Sequence, residues 1–320
     1  MSAATTSAVR KKAAAATTTA PAKPRAVRPK IFQIFYREEQ RSSLDPAFIA
    51  YDNSGIKSPL LEFDVFRRIL TRGLAGKAPL WGVVSWKFGL KTELSGAQLI
   101  AHLRANPGCD AYYCNPYPEF EAVYHNLWQQ GETAHPGFLE LARRVFQAAG
   151  LPLATLDALY PAQLYSAANY IVATPAFWRA YIGFIEDVLA RLERHAAPEL
   201  LAQLLSATAD AKGRHAGATY LPFIVERLFS VFLISDAAAG FRTHKYPVPA
   251  KENRLNVHLG VLRQQKELVC QHRNPQLTAW WLSHRALYLV AEHGRDWVRR
   301  YLPRISPSEI CYLPEKLHAR

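Results

Sequence analysis

One run of fifteen residues, 220–234 (YLPFIVERLFSVFLI), limits what this chain can fold into more than any other. Leu221, Phe223, Ile224, Val225, Leu228, Phe229, Val231, Phe232, Leu233 and Ile234 surround a single polar strip, made by Glu226, Arg227 and Ser230. At 3.6 residues per turn, positions 226, 227 and 230 share one side of a helix. A helix so apolar is buried over most of its surface. Pro222 suits the first turn, where its missing N–H costs little. The run is short of the ~20 residues of a membrane span and has a charged pair at its middle. The sequence therefore predicts a core helix that carries an acid and a base into the interior. An unpaired buried charge is costly, so two readings follow. Glu226 and Arg227 form an internal ion pair, or they face a polar ligand.

The rest of the chain can supply the core that such a helix needs. Of 320 residues, 49% are hydrophobic and 12% aromatic. The net charge of +13 is unevenly spread: residues 1–30 hold seven Lys or Arg and no acid, leaving 32 basic and 26 acidic residues for the other 290. Residues 1–29, rich in Ala, Thr, Pro and Lys, lack large apolar side chains and are expected to be a disordered basic tail. Their Ala/Thr stretch is not the apolar segment of a secretory signal. Cys109, Cys114, Cys270 and Cys311 make no CxxC pair or zinc spacing, and reduced thiols in a cytoplasmic protein are the simplest account.

Order is expected from residue 30. Residues 31–36 (IFQIFY), 80–86 (LWGVVSW) and 110–114 (DAYYC) read as strands, with helices over 59–74 and from Ser95 through Leu103. Strand, helix, strand, helix, strand is the rhythm of an α/β sheet with helical crossovers. Helices are expected over 119–130, 137–149, 175–195, 198–209 and 277–302, a short strand over 165–173, and a polar loop over 240–256. In open α/β sheets, ligands bind beyond the carboxyl ends of the strands. That rule selects Arg37 and Glu38 after the first strand, Lys87 after the second, and Asn115 with Tyr117 after the third; the late loop carrying Arg242, His244 and Lys245 can close over the same edge. Lysines at 87 and 91 can hold a phosphate or diphosphate as point charges.

Several chemistries find no motif. There is no HExxH, GxSxG, P-loop or GxGxxG pattern. There is also no Asp-x-Asp triplet of the kind that holds a divalent metal on a diphosphate. Glu62 and Asp64 are the comparable acidic pair, but on a helix they diverge by ~200°.

Three runs in order, WGVVSWKFGLKT, SAANYIVATPAFWRAYIGFIEDVL and YLPFIVERLFSVFLI, resemble bacterial cell-envelope glycosyltransferases of the GT-A superfamily, found in lipopolysaccharide and capsule loci. The resemblance spans roughly residues 30–235. It rests on Asn169-Tyr170-Ile171, on the aromatic helix from Phe177 to Leu192, and on Phe223-Ile224-Val225-Glu226-Arg227-Leu228. It implies an α/β fold: a GT-A-like domain over 30–260 with a mostly parallel central sheet flanked by helices, and a helical C-terminal extension over 261–320. It implies glycosyl transfer from a nucleotide-sugar donor to a cell-envelope glycan or lipid-linked acceptor. The implied catalytic residues are Glu226 and Asp110. The implied nucleotide-sugar-binding residues are Tyr36, Arg37, Lys87, Lys91, Asn115, Asn169 and Arg227. Mn²⁺ or Mg²⁺ is the metal such enzymes use, and the missing Asp-x-Asp departs from that pattern. The expected location is cytoplasmic, with the tail held peripherally on the anionic inner membrane. Two other readings stand beside this one: a catalytically inactive relative, and a nucleic-acid-binding protein that uses the basic tail.

Overall fold

The computed structural model describes residues 29–208, 218–302 and 305–313, so the expected tail at 1–29 lies almost wholly outside the described residues. The first half alternates strands and helices. Strand β1 (Lys30–Phe35) and β2 (Ile49–Asp52) precede helix α1 (Glu62–Thr71). Then come β3 (Trp81–Ser85), α2 (Phe88–Thr92), α3 (Gly96–Ala105) and β4 (Ala111–Tyr113). Helices α4 (Pro118–Val123), α5 (Leu127–Ala134), α6 (Phe138–Ala149) and the single turn α7 (Ala154–Asp157) lead to β5 (Ile171–Ala173). Helices α8 (Pro175–His195), α9 (Pro198–Leu204) and α10 (Tyr220–Leu233) follow. Next are β6 (Thr243–Lys245), α11 (Pro249–Glu252), α12 (Val257–His272), α13 (Pro275–His293) and α14 (Arg295–Tyr301).

The six strands form one sheet in the order β2-β1-β3-β5-β4-β6. Five run the same way, and β5 alone runs against its neighbours β3 and β4. The fold is thus α/β with a mostly parallel mixed sheet. Reversal of β5 has one consequence for chemistry. It brings the residues before β5 to the edge where the other strands end.

Side chains alternate across the sheet with period two. Phe32, Ile34, Trp81, Val83, Ala111, Tyr113, Ile171 and Ala173 face a core shared with helices α1, α5, α6, α8 and α10. Ile31, Val84, Tyr112, Cys114 and Val172 face the opposite side, where Leu99 and Leu103 of α3 cover them. A third cluster packs Leu262, Val269, Trp281 and Leu289 of α12 and α13 against Ala122 and Val123 of α4. Helix α8 begins at a Thr174 cap followed by Pro175, as its sequence requires. It anchors the sheet through Trp178, whose ring stacks on Trp81 at 4.4 Å and whose Nε1 donates to the Trp81 carbonyl at 2.8 Å.

Four local expectations are corrected. The 240–256 stretch is not wholly loop, because β6 adds a polar edge strand to β4 and α11 follows it. The strand expected over 165–173 is confined to Ile171–Ala173, after a 3-10 turn at Ala162–Leu164. The helix expected over 119–130 is two helices. Asn126 interrupts it and caps α5 through its side chain, bonding Trp128 N and Gln129 N. Gly294, at φ +87°, splits the last helix into α13 and α14. The four cysteines are unpaired.

Gly82 in β3 sits where β5 approaches most closely. A Cβ there would lie 2.5 Å from the Ile171 carbonyl oxygen and 2.9 Å from the Val172 Cα. Both contacts are to backbone, so no side chain can move aside. We expect Gly82→Ala to destabilise the fold by about 1–3 kcal/mol. The check is the urea midpoint; a wild-type midpoint would mean that β3 and β5 can part without cost.

Candidate functional site

Because β5 is reversed, one edge of the sheet gathers Tyr36 after β1, Trp86 and Lys87 after β3, Asn115 after β4, and Asn169 and Tyr170 before β5. Helix α2 starts one residue after Lys87 and carries Lys91 over the same edge. Lys91 Nζ lies 5.8 Å from the Tyr170 ring centroid and 6.0 Å from that of Tyr117. Tyr170 is fixed from beneath by a 3.0 Å hydrogen bond between its hydroxyl and Ser85 Oγ. Lys87 folds over its neighbour Trp86, 5.2 Å from the ring centroid. Arg37 is exposed just beyond β1, and Asn169 is half-buried.

Two carboxylates meet this edge from the helical side. Glu62 is the first residue of α1, and the turn that delivers it is strained: Leu61 has φ 45° and ψ −119°, a region that disfavours a branched side chain. Glu62 faces the phenol of Tyr36. Burial and then the Glu62 charge push the Tyr36 hydroxyl well above the usual phenol range, with Arg68 opposing. Glu226 is half-buried on α10, which packs on α1. Burial raises its carboxyl above the usual range. Arg227 and Lys91 pull it back, and Glu62 pushes it further up. Lys91 and Glu62 are therefore both within electrostatic reach of Glu226. Among the described residues, the Glu226 carboxylate has no hydrogen bond and no ion pair.

Its neighbour Arg227 turns elsewhere. The guanidinium is buried and donates from Nε to the Leu127 carbonyl at 2.8 Å, from one terminal nitrogen to the Phe223 carbonyl at 3.0 Å, and from the other to Gln130 Oε1 at 2.7 Å. It also lies 4.7 Å over the Phe138 ring. The expected polar strip is thus two environments: one residue faces the sheet edge and the next clamps α5.

Asn115 is buried, and its Nδ2 donates at 2.8 Å to both the Tyr117 carbonyl and Glu121 Oε1. Glu121, itself buried, pairs with Lys245 of β6 and with Arg263 of α12 at 2.8 Å. Asp110 lies at the opposite edge, before β4 rather than after it. There Asp110 Oδ2 accepts from Arg242 N at 2.9 Å, and its carbonyl accepts from Thr174 N at 2.7 Å. The structure therefore brings together Tyr36, Arg37, Lys87, Lys91, Asn115, Asn169 and Glu226. It sets Asp110 and the guanidinium of Arg227 apart from them.

Sequence reasoning passed over Glu62, Tyr170, Ser85 and Glu121 as site components; it named Lys245, but on a loop rather than on a strand paired to β4. Glu62 was visible only as half of an acidic pair that diverges on a helix. Nothing local signalled that its turn would aim it at Tyr36.

Next to Tyr36, a hollow of about 440 Å³ opens between Asn53, Ile56, Lys57, Ser58, Pro59 and Leu61. Its size is that of an ordinary small-ligand pocket. Asn53 on its wall is held by Arg68 at 2.6 Å. The described residues hold no group of three or more His, Cys, Asp or Glu placed to bind a metal ion. They also include no helix long and apolar enough to cross a membrane. The edge can hold an anion on Lys87 and Lys91, stack a ring on its tyrosines, and accept a proton on Glu226. Comparison with protein-family models, with curated proteins and with solved structures gave no match.

Proposed function

We propose that the chain is a glycosyltransferase acting on a nucleotide-sugar donor at the carboxyl edge of its sheet. The observation that carries this reading is Glu226: a carboxylate on a core helix, unpartnered, raised by burial, and within the field of Lys91. A group that only stabilised the core would have a partner, as Arg227 does. The mostly parallel sheet is compatible with the GT-A-like architecture that the sequence resemblance implies. The hollow beside Tyr36 suits the base and ribose of the donor. Lys87 and Lys91 suit its diphosphate, and Asn169 the sugar.

The chemistry follows from the roles these groups can fill. The acceptor hydroxyl gives its proton to Glu226, and its oxygen bonds to the anomeric carbon of the sugar. The bond from that carbon to the diphosphate oxygen breaks, and the electron pair leaves with the nucleoside diphosphate. Lys91 and Lys87 lower the cost of that growing charge, which matters most where water is excluded. A cell-envelope glycan or lipid-linked acceptor is the substrate class we favour, on the resemblance alone.

The test is a thermal-shift screen of the full chain against UDP-, GDP-, CMP- and dTDP-sugars, with and without Mn²⁺ or Mg²⁺. One nucleotide should raise the midpoint saturably, as any ligand of the native state does. The same shift should vanish in Lys91→Ala. A flat response to every donor would sink the transferase reading and turn attention to an inactive relative.

A further inference from the structure

Far along the chain, α13 and α14 enclose a half-open cavity of about 630 Å³ that the reading above does not use. Its walls are largely apolar, with Leu282, Val290, Val298, Leu302 and Ile305 among them. Its charged lining is of one sign. Arg285 from α13 and Arg295 and Arg299 from α14 all border it, and no acidic residue does.

Arg285 is the unusual member, because it is only 4% exposed. Its two terminal nitrogens point to neutral partners, His125 Nε2 and Gln129 Oε1, each at 2.9 Å. Its Nε is buried and has no acceptor. Close by, Lys266 is fully buried on the Tyr165 hydroxyl at 2.7 Å and on the Tyr124 carbonyl. Among the described residues, no carboxylate pairs with Arg285 or Lys266. Burial brings the Lys266 ammonium pKa down to about 7, so it can shed its charge, whereas Arg285 stays charged. A buried guanidinium without a counter-anion is costly to hold, and an anion in the adjoining cavity would offset that cost. At the mouth, Arg295 is exposed. Arg299 is exposed too, paired only with Asp296, at 3.2 Å on the open surface.

We propose that this cavity is a binding site for an amphipathic anion: an alkyl or isoprenyl chain that carries a phosphate. The apolar walls take the chain, and the arginines take the phosphate, which guanidinium groups match in geometry. A neutral amphiphile would leave the arginines unanswered, and a bare phosphate would leave the walls wet. The site does not depend on the transferase reading and is tested without any sugar donor.

The experiment is isothermal titration of the full chain with dodecyl phosphate, kept below its micelle concentration. Inorganic phosphate and dodecyl maltoside are titrated in parallel. Dodecyl phosphate should bind at one site, and the other two should bind at least tenfold more weakly. The double variant Arg295→Glu/Arg299→Glu changes exposed side chains only and should weaken binding at least tenfold. Ala286→Trp, which fills the lining without touching charge, should do the same; circular dichroism checks that both variants fold. A second arm measures co-sedimentation with phosphatidylcholine vesicles, with and without phosphatidylglycerol. Binding to anionic vesicles that these variants abolish assigns the ligand to a bilayer lipid. Saturation by free dodecyl phosphate alone assigns it to a soluble lipid phosphate. Either result upholds the site. Wild-type affinity in both variants, or no binding in either arm, overturns it.

Discussion

Glu226→Gln is expected to abolish sugar transfer while making the protein more stable. As the group that takes the acceptor proton, Glu226 accounts for a rate factor of about 10²–10⁴. Its amide counterpart has the same shape and cannot accept that proton. The stability effect has the opposite sign. Burial raises the folded-state pKa of Glu226 above its unfolded value, so the fold favours the protonated form. The stability due to that protonated form is fully present below the unfolded pKa and is lost as pH rises through the folded one. Above that folded-state pKa the wild type carries an ionised carboxylate that no described residue bonds, and the glutamine variant does not. Thermal midpoints of the variant should gain on the wild type as pH rises through the folded-state pKa, and the gain should shrink toward pH 4. The wild-type rate should fall on the acid side at a pH above the ordinary carboxylate range. A variant that unfolds at pH 7 would show that Glu226 holds the core together, and the catalytic assignment would fail.

Arg227→Ala, one position away, should show the reverse pattern. The Arg227 guanidinium makes three hydrogen bonds to α5 and to its own helix, and it lies over Phe138. Truncation leaves Gln130 Oε1 without its donor and opens a void beside Gly131, where Arg227 Nε packs. Lost charge-assisted bonds and the new cavity together should cost about 3–5 kcal/mol. Burial lowers the Arg227 pKa to about 10, so the side chain is still charged at neutral pH. Its partners are carbonyls, not a carboxylate. The larger part of the loss should therefore be constant between pH 5 and pH 8, with only the smaller pull between the two charges fading as Glu226 titrates, whereas a direct Glu226–Arg227 ion pair would make most of the loss fade. Urea denaturation across that range separates the two. Donor affinity of any folded fraction should stay at the wild-type level. A stable Arg227→Ala protein that no longer binds nucleotide would instead place the guanidinium on the ligand.

These neighbours also mark how far the sequence could be read. The apolar run around them leaves little choice but a buried helix, and α10 covers Tyr220–Leu233 as expected. The β-branched and aromatic runs at 31–36 and 80–86 became β1 and β3, and Pro175 opens α8 where its sequence requires. Such features are set by local periodicity and by what each side chain does to its own backbone. Their outcome does not depend on which partner arrives. The rule that ligands sit beyond strand ends also placed Arg37, Lys87 and Asn115 at one edge of the sheet.

Only the tertiary structure decided the rest. Glu226 and Arg227 differ by about 100° on the helix. The packing of α5 and α1 determined that one would face a clamp and the other the sheet edge. Three residues, Ile171–Ala173, could pair in either direction. Antiparallel pairing with both β3 and β4 brought Asn169 and Tyr170 to the candidate site. Asp110 opens a strand that it was expected to serve, and the common direction of β4 with β1 and β3 sends it to the far edge. Thr243–Lys245 became a strand because β4 had an open edge, and Lys245 thereby reached Glu121. In each case the residues permitted more than one outcome of similar local energy. The choice was made by contacts between segments distant in sequence, which no window of the chain contains.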